Sequence, residues 1–226
     1  RARACGRAGH LPDARLHSLS ALEVRAVSKE KPQADDQTRS EEAGAAIDLL
    51  LFDLGGVLVQ WDGISALGEF CRRPRDTEEI RRFWLESKWI RLFETGGCDE
   101  SAFATGVARD LDLAISAEEF LERFLSWVRG PFPGALELLD RLREHDEHRL
   151  ACLSNTNPTH WDRIRDGFGF GARFERTFIS CEIGAMKPDH APFEHVLEEL
   201  GLPAERVFFV DDNQELSLIH ISEPTR

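Results

Sequence analysis

The chain has 226 residues, of which 42% are hydrophobic, and it carries a formal net charge of −13. This hydrophobic content is enough to bury a sizeable interior, either as one large domain or as a core with a smaller insert. Because a nucleic acid or an anionic membrane would repel so acidic a chain, the charge excludes both as general partners. It does not exclude one small phosphate bound in a local pocket.

The five cysteines are scattered, odd in number and free of any CxxC pair. The sequence therefore predicts neither a disulfide framework nor a zinc site, and we expect reduced thiols and a cytoplasmic location. No apolar run approaches the roughly 20 residues that span a bilayer, and the N-terminus lacks the apolar region of a signal peptide. Neither export nor membrane anchoring is predicted.

Both ends of the chain differ from its middle. Residues 1–44 begin without Met and show no sustained helix or strand period, which indicates a disordered or non-native extension, with a regulatory tail as the alternative. Residues 216–226, LSLIHISEPTR, resemble the translation of a sequencing adapter, and we interpret them as an artefact after a natural sequence that ends near Glu215. A truncated C-terminal edge would leave the last strand unpaired, and we expect that apolar edge to reduce solubility.

From residue 45 onward, apolar runs alternate with amphipathic stretches, a pattern typical of a parallel sheet covered by helices. The predicted strands are short, almost continuously apolar and followed by polar or glycine residues, as strands buried on both faces are. They comprise residues 47–52, 149–153, 176–179 and 206–210. The sequence therefore predicts an α/β fold whose core comprises residues 45–65 and 131–215.

The segment between the first two strands has helical character almost throughout, and we predict that residues 66–130 form a helical cap inserted into the core. One predicted helix runs from Asp76 or Thr77, as the capping residue, through Phe93. Further helix start signals, from residues that favour the N-cap position, stand at Asp99, Ser116 and Asn157.

Polar side chains follow the predicted strands. Because ligands of open α/β sheets bind at the carboxyl ends of the strands, these side chains are the candidate site residues. In chain order they are Asp53, Ser154, Asn155, Lys187, Asp211 and Asp212. Each one alone is equally typical of a turn or a helix start. Together they would converge on a single crevice.

These residue types suit a phosphate monoester bound with a metal ion. The carboxylates of Asp53 and Asp212, with a backbone carbonyl near Gly55, are hard oxygen ligands of the kind that Mg²⁺ takes. The Lys187 ammonium would offset charge on the phosphoryl oxygens, and the serine and asparagine after the second strand would add hydrogen-bond donors. A carboxylate can then attack phosphorus, and water cleaves the resulting aspartyl-phosphate.

The segments DLGGVL, LSNT, KP and VDDN resemble, in this order, the four motifs of the haloacid dehalogenase-like hydrolase superfamily. The resemblance implies a Rossmann-like parallel sheet with an inserted helical cap, and the motifs are most similar to those of sugar-phosphate phosphatases such as the glucose-1-phosphate phosphatases. It further implies Asp53 as the nucleophile, Mg²⁺ as the cofactor and a small phosphorylated metabolite as the substrate. The other implied roles are metal binding by Asp53, Asp211, Asp212 and the backbone carbonyl of Gly55, and phosphate binding by Ser154, Asn155 and Lys187.

One position departs from the pattern of the superfamily. Many of its phosphatases carry a second Asp two residues after the nucleophile, which protonates the leaving alcohol and then activates water, whereas this chain has Gly55 there. A positioned acid or base typically contributes about 10² to 10⁴-fold to the rate. We therefore expect a slower reaction that depends steeply on leaving-group acidity, unless a cap residue or water substitutes.

The missing acid leaves two alternatives to a phosphatase. One is a metal-independent 2-haloacid dehalogenase, because halide needs no proton on leaving, and the other is a catalytically impaired binding protein that kept the fold. The adjacent Asp211 and Asp212 favour the phosphatase, since they would repel a carboxylate substrate unless a cation lay between them. Substrate contacts would come from the cap, where Glu94 and the turn 95–100 are candidates, with a plain helix connection as the alternative.

Overall fold

The structure is a computed structural model, and it describes residues 46–212. The predictions for residues 1–44 and 216–226 lie outside the described residues. In chain order, the strands and helices are β1 (Leu49–Phe52), β2 (Val59–Trp61), α1 (Gly63–Glu69), α2 (Thr77–Glu86), α3 (Lys88–Glu94), α4 (Glu100–Asp110), α5 (Ala117–Phe124), β3 (Val128–Pro131), α6 (Ala135–His145), β4 (Arg149–Ser154), α7 (Pro158–Asp162), β5 (Arg176–Ile179), α8 (Ser180–Ile183), α9 (Ala191–Leu200) and β6 (Val207–Val210).

The main sheet has the strand order β5-β4-β1-β6, and each pairing in it is parallel. Its strands coincide with the predicted ones to within two residues, so the predicted α/β fold with a parallel sheet is confirmed. Phe52, at the end of β1, lies opposite Cys152 of β4 and Val210 of β6. Because these strands end nearly level, the residues that follow them lie at one edge of the sheet.

Strand β1 is buried because it lies between two other strands and is covered on both faces. Leu49 and Leu51 pack in one apolar cluster with residues of α9, and Phe52 packs in another with residues of α6 and α7. Alternate residues of a strand point to opposite faces, which is why the continuous apolar run LLLF suits this position. Strand β6 lies at an edge of the described sheet, and its Phe208 side chain is 55% exposed.

Helices α1 to α5 enclose an apolar cluster of their own, which is dominated by aromatic side chains. Phe93 and Phe103 stack with ring centroids 4.3 Å apart, and Phe124 lies 5.1 Å from both Phe103 and Trp127. Aromatic pairs at such distances add to the stabilisation that burial provides. These helices form a separate apolar layer over the sheet, while the exact domain boundaries stay a prediction.

A two-stranded antiparallel ribbon, which the sequence analysis did not predict, joins the core to the helical layer. Strand β2 leads into the helices and β3 leads out of them, and Val59 lies opposite Pro131. An ion pair of 3.0 Å between Arg129 of β3 and Asp62, the residue after β2, stabilises the ribbon. Strands of three and four residues leave too short a pattern to recognise, and their pairing joins positions about 70 residues apart.

The predicted single helix from residue 77 through Phe93 is wrong, because the chain breaks it at Ser87. Ser87 is extended, with φ −69° and ψ 122°, and its side chain accepts a hydrogen bond from the Trp89 amide to cap α3. A serine side chain that competes for backbone donors favours such a break. The start of α2 is as predicted, with Asp76 and Glu79 forming a reciprocal capping box.

The four cysteines in the described part of the chain are free thiols. Burial raises the pKa of the Cys152 thiol far above its ordinary value, so it is an inert core residue rather than a nucleophile.

Within residues 46–212, no helix combines the length and the apolar character that crossing a membrane requires.

We expect Leu51→Ala to lower the free energy of unfolding by about 2 to 5 kcal/mol, because it removes a side chain that is only 1% exposed from the central strand. Leu138→Ala, in α6, is the matched control, since that side chain is 45% exposed and its removal should change stability by less than about 1 kcal/mol. Urea unfolding followed by circular dichroism measures both. Equal losses for the two variants would contradict the burial described for β1.

Candidate active site

Asp53 follows β1 directly, and three contacts fix its position. Its main-chain amide donates to Val210 O at 2.8 Å, while its Oδ1 accepts from the Leu54 amide at 2.7 Å. Ser154, at the end of β4, forms a side-chain hydrogen bond with the same carboxylate. Burial raises the pKa of Asp53, the Lys187 ammonium opposes that rise, and the charge of Asp211 adds to it. These contacts place the carboxylate at the floor of the site.

Lys187 supplies the positive charge at this edge of the sheet. Its ammonium lies 3.2 Å from Asp53 Oδ1 and 2.5 Å from Asp211 Oδ2, and the side chain is only 4% exposed. Asn155 places this residue: its Oδ1 accepts from the Lys187 amide and its Nδ2 donates to the Lys187 carbonyl, both at 2.8 Å. Within the described part of the chain the second Nδ2 hydrogen of Asn155 has no acceptor, so the predicted phosphate contact is compatible with this clamp.

The acidic pair after β6 completes a cluster of carboxylates. Oxygens of Asp53, Asp211 and Asp212 all lie within 4.8 Å of one another. Burial, and then the charge of Asp211, raises the pKa of Asp212. Three carboxylates at such spacing, next to the Lys187 ammonium, form a donor set of hard oxygens that fits Mg²⁺. The residues predicted as metal ligands are therefore adjacent in the fold.

The two glycines after Asp53 have different environments. Gly56 has φ +79°, and a Cβ placed on it would overlap the Asp212 carboxylate, so a side chain there would displace Asp212. Gly55 lies beside the same cleft, yet a Cβ on it would meet no atom of residues 46–212 within 4 Å. Position 56 therefore requires glycine, whereas position 55 has room for the acid that it lacks. Metal binding by the Gly55 carbonyl stays a prediction.

The loop after β4 is fixed by a serine that the sequence analysis missed. Ser180 is 1% exposed, and its Oγ accepts from the Thr156 amide at 2.9 Å and donates to the Thr156 carbonyl at 3.1 Å. This bond pair joins the ends of β4 and β5, and so steadies the segment that carries Ser154 and Asn155. The signal in the sequence was a serine directly after the apolar strand TFI.

A cleft of about 410 Å³ opens above these residues, between the sheet edge and the helical layer. The residues already described line its floor. Its walls comprise mainly apolar side chains of the ribbon and helices, together with two charged residues of α3: Trp61, Trp84, Leu85, Ile90, Arg91 and Glu94. Trp84 packs against Trp127 in the helical layer and also borders the cleft.

Glu94 is the last residue of α3, and it lies in this cleft rather than in a solvent-exposed connection. The residue is only 9% exposed. Burial, and then the nearby charge of Asp53, raises the pKa of its carboxyl group to about 7. The turn that follows it rests on the core instead: Gly96 has φ +73°, and a Cβ there would lie 2.7 Å from the Cys181 carbonyl.

The model of one protein family matches residues 47–215, under the description "haloacid dehalogenase-like hydrolase". The chain belongs to the haloacid dehalogenase-like hydrolase family. Membership confirms the superfamily predicted from the four motifs and the assignment as a hydrolase. The narrower likeness to glucose-1-phosphate phosphatases stays a prediction.

Two curated relatives of this hydrolase have different names. "Drimenol cyclase drtB" of Aspergillus calidoustus is 27% identical over 172 residues, which is 73% of this chain and 30% of the cyclase. The chain thus spans less than a third of that relative. "Phosphatase MT3486" of Mycobacterium tuberculosis (strain CDC 1551 / Oshkosh) is 25% identical over 177 residues, which is 74% of this chain and 79% of the phosphatase.

Solved structures of the family share the fold. The enzyme bt-2542 of Bacteroides thetaiotaomicron, in complex with magnesium and inorganic phosphate, is 25% identical with a TM-score of 0.62, covering 78% of this chain and 91% of that one. The L-2-haloacid dehalogenase RSc1362 is 22% identical with a TM-score of 0.54, covering 74% of this chain and 79% of that one. The second likeness shows the fold alone.

His160, which the sequence analysis also missed, links the core of this hydrolase to its helical layer. It is 3% exposed, its Nε2 lies 2.8 Å from the Phe124 carbonyl, and its ring stacks on the Phe124 ring at 4.1 Å. Its Nδ1 lies 3.3 Å from Asn157 Nδ2. Burial lowers the pKa of His160 to about 4, so the ring is neutral at pH 7. This histidine is a structural contact at the cleft wall.

We expect Glu94→Gln to stabilise the metal-free protein at neutral and alkaline pH. The ordinary pKa of 4.5 is raised to about 7 by folding, so ionised Glu94 destabilises the folded state. The penalty is absent below pH 4.5, grows as the pH rises towards about 7 and is complete above that value. The variant should therefore gain on the order of 3 kcal/mol in unfolding free energy at about pH 8 and little at about pH 4.5.

Urea unfolding with a chelator present, at both pH values, measures this difference. Glu86→Gln is the matched control, because the Glu86 side chain is exposed to solvent on α2. Identical stability of wild type and Glu94→Gln at alkaline pH would contradict the burial of this carboxyl group.

Proposed function

We propose that this hydrolase is a Mg²⁺-dependent phosphatase that cleaves a small phosphate monoester, such as a sugar phosphate, through an aspartyl-phosphate on Asp53. The observation that carries the proposal is the buried triangle of charges in which the Lys187 ammonium lies between Asp53 and Asp211. An ammonium beside a nucleophilic carboxylate and a carboxylate cluster suits a dianionic phosphoryl group bound together with a cation. The phosphate and magnesium in bt-2542, and the name of the mycobacterial relative, support it.

In this reaction the residues of the site would have separate roles. A carboxylate oxygen of Asp53 attacks phosphorus, the bond from phosphorus to the alcohol oxygen breaks, and water then cleaves the acyl phosphate to release inorganic phosphate. Lys187 favours the ionised form of Asp53 and contacts the phosphoryl oxygens, together with Ser154 and the second Nδ2 hydrogen of Asn155. The apolar wall of the cleft excludes bulk water, which strengthens these electrostatic contacts.

Mg²⁺ would be held by Asp53, Asp211, Asp212 and the Gly55 carbonyl. When bound, the ion offsets the negative charge of the phosphoryl group. The chemistry of the donor set supports this choice, because carboxylate and carbonyl oxygens suit Mg²⁺ and the site has no imidazole or thiolate ligand among the described residues. The adjacent pair of acids disfavours the dehalogenase alternative, since a 2-haloacid carries its own carboxylate into the site.

We expect the wild type to hydrolyse phosphate monoesters with Mg²⁺, and Asp53→Asn to lower kcat at least about 10³-fold, because an amide is a far weaker nucleophile. The assay measures phosphate release from aryl and alkyl phosphates, in parallel with halide release from 2-haloacids without metal. Asp146→Asn is the matched control: it is exposed, and asparagine tolerates its left-handed φ of 49°. Metal-free halide release would favour the dehalogenase, and no turnover in either assay would favour a binding protein.

We expect Gly56→Ala to weaken Mg²⁺ binding at least about 10-fold, because a methyl group there would displace Asp212, whereas Gly55→Ala should leave the affinity nearly unchanged. Two adjacent glycines thus provide a variant and its control. Isothermal titration calorimetry with Mg²⁺ measures both affinities. Equal effects of the two substitutions would argue against Asp212 as a ligand.

A further inference from the structure

The proposed reaction needs a proton donor that position 55 does not supply. An alcohol leaves phosphorus as an alkoxide unless its oxygen is protonated as the bond breaks, and Gly55 has no side chain to do so. The group that does so must be titratable and must face the cleft. The charged and imidazole side chains that line the described cleft are Asp53, Arg91, Glu94, His160, Lys187, Asp211 and Asp212.

Most of these groups are already engaged. The three aspartates form the carboxylate cluster, and Lys187 contacts two of them. Arg91 pairs with Asp189 at 2.5 Å, and both ring nitrogens of His160 lie beside polar partners. Glu94 is the exception: among the described residues its carboxyl group has no hydrogen-bond or ion-pair partner, although the residue is 91% buried.

Local stability does not account for an acid at this position. A buried carboxyl group without a partner destabilises the fold, and an acid at the C-terminal end of a helix opposes the helix dipole. Glu94 is the last residue of α3, so it has both disadvantages. Residues that lower stability and face a cleft are typical of functional sites.

We propose that Glu94 is the general acid and base of this active site. Resting on the proposed phosphatase activity, the first step transfers the Glu94 proton to the alcohol oxygen as the bond from phosphorus to that oxygen breaks and the bond to Asp53 forms. In the second step the Glu94 carboxylate removes a proton from a water molecule. The water oxygen attacks the phosphorus of the acyl phosphate, and the bond from phosphorus to Asp53 breaks. Glu94 is then protonated again, Asp53 is free, and inorganic phosphate is released.

The position and environment of Glu94 agree with this assignment. The residue belongs to the wall that the helical layer contributes, whereas Asp53 belongs to the floor, so a substrate between them meets both groups. The pKa of Glu94, raised to about 7, leaves a large fraction of the group protonated at neutral pH, which is the range in which an acid–base catalyst works best. The cap would therefore supply the function that the loop after β1 lacks.

Leaving-group dependence tests the proposal, because a general acid matters only when the leaving oxygen is basic. We would compare 4-nitrophenyl phosphate, whose leaving group is a stable anion, with benzyl phosphate, which has a similar shape and a basic alkoxide. Glu94→Gln should lower kcat/KM for benzyl phosphate by about 10² to 10⁴-fold and for 4-nitrophenyl phosphate by less than about 10-fold. Glu86→Gln, the exposed control, should resemble the wild type with both esters.

A second variant provides rescue. A side chain at position 55 has room among the described residues. Adding Gly55→Asp to Glu94→Gln should therefore raise kcat/KM for benzyl phosphate at least about 10-fold over the single variant, with little change in kcat/KM for 4-nitrophenyl phosphate. Equal losses with both esters in Glu94→Gln would overturn the role of Glu94 and leave the phosphatase in place. A wild type that hydrolyses neither ester with Mg²⁺ would instead overturn the proposed function, and the role of Glu94 with it.

Discussion

The buried Lys187 ammonium, shared between Asp53 and Asp211, is the interaction on which the site depends. Moving an ion from water into a protein interior costs several kcal/mol, and a partner charge offsets that cost only when the geometry is good. Asn155 ensures the geometry by clamping the Lys187 backbone from both sides. The parallel sheet brings the partners together, because β1, β4 and β6 end nearly level. The register of the strands is therefore what allows the charges of Lys187, Asp53 and Asp211 to compensate one another.

The helical layer does more than cover this edge. Its apolar side chains close a cleft over the charges, and lower access to water strengthens each electrostatic contact inside. Several contacts hold it there, among them the stacking of His160 on Phe124 and the close approach of Gly96 to Cys181. The same closure buries Glu94 without a partner among residues 46–212, which lowers stability at a place where the proposed reaction needs an acid. Position 55, where many phosphatases of the superfamily carry an acid, is glycine in this chain. The carboxyl group of Glu94, from α3, faces the same cleft.

Much of the fold and site could be predicted because the signals are local. Four apolar runs of strand length, each followed by polar residues, were sufficient for the parallel sheet and for the neighbourhood of Asp53, Lys187 and the acidic pair. Contacts between distant segments were not predictable in this way. The ribbon of β2 and β3 is too short to leave a pattern, the break at Ser87 depends on one serine competing with a helical backbone, and the packing of His160 involves a helix far away in the chain.

The sequence by itself determined the type of sheet, the residues at its carboxyl edge and the absence of an acid at position 55, because each depends on residue type and order alone. Only the tertiary structure decided which oxygen pairs with which nitrogen, why position 56 must be glycine, and that Glu94 faces the cleft. Side-chain direction at the end of a short helix follows from how that helix packs on its neighbours, and the same seven residues of α3 in another orientation would point Glu94 into water.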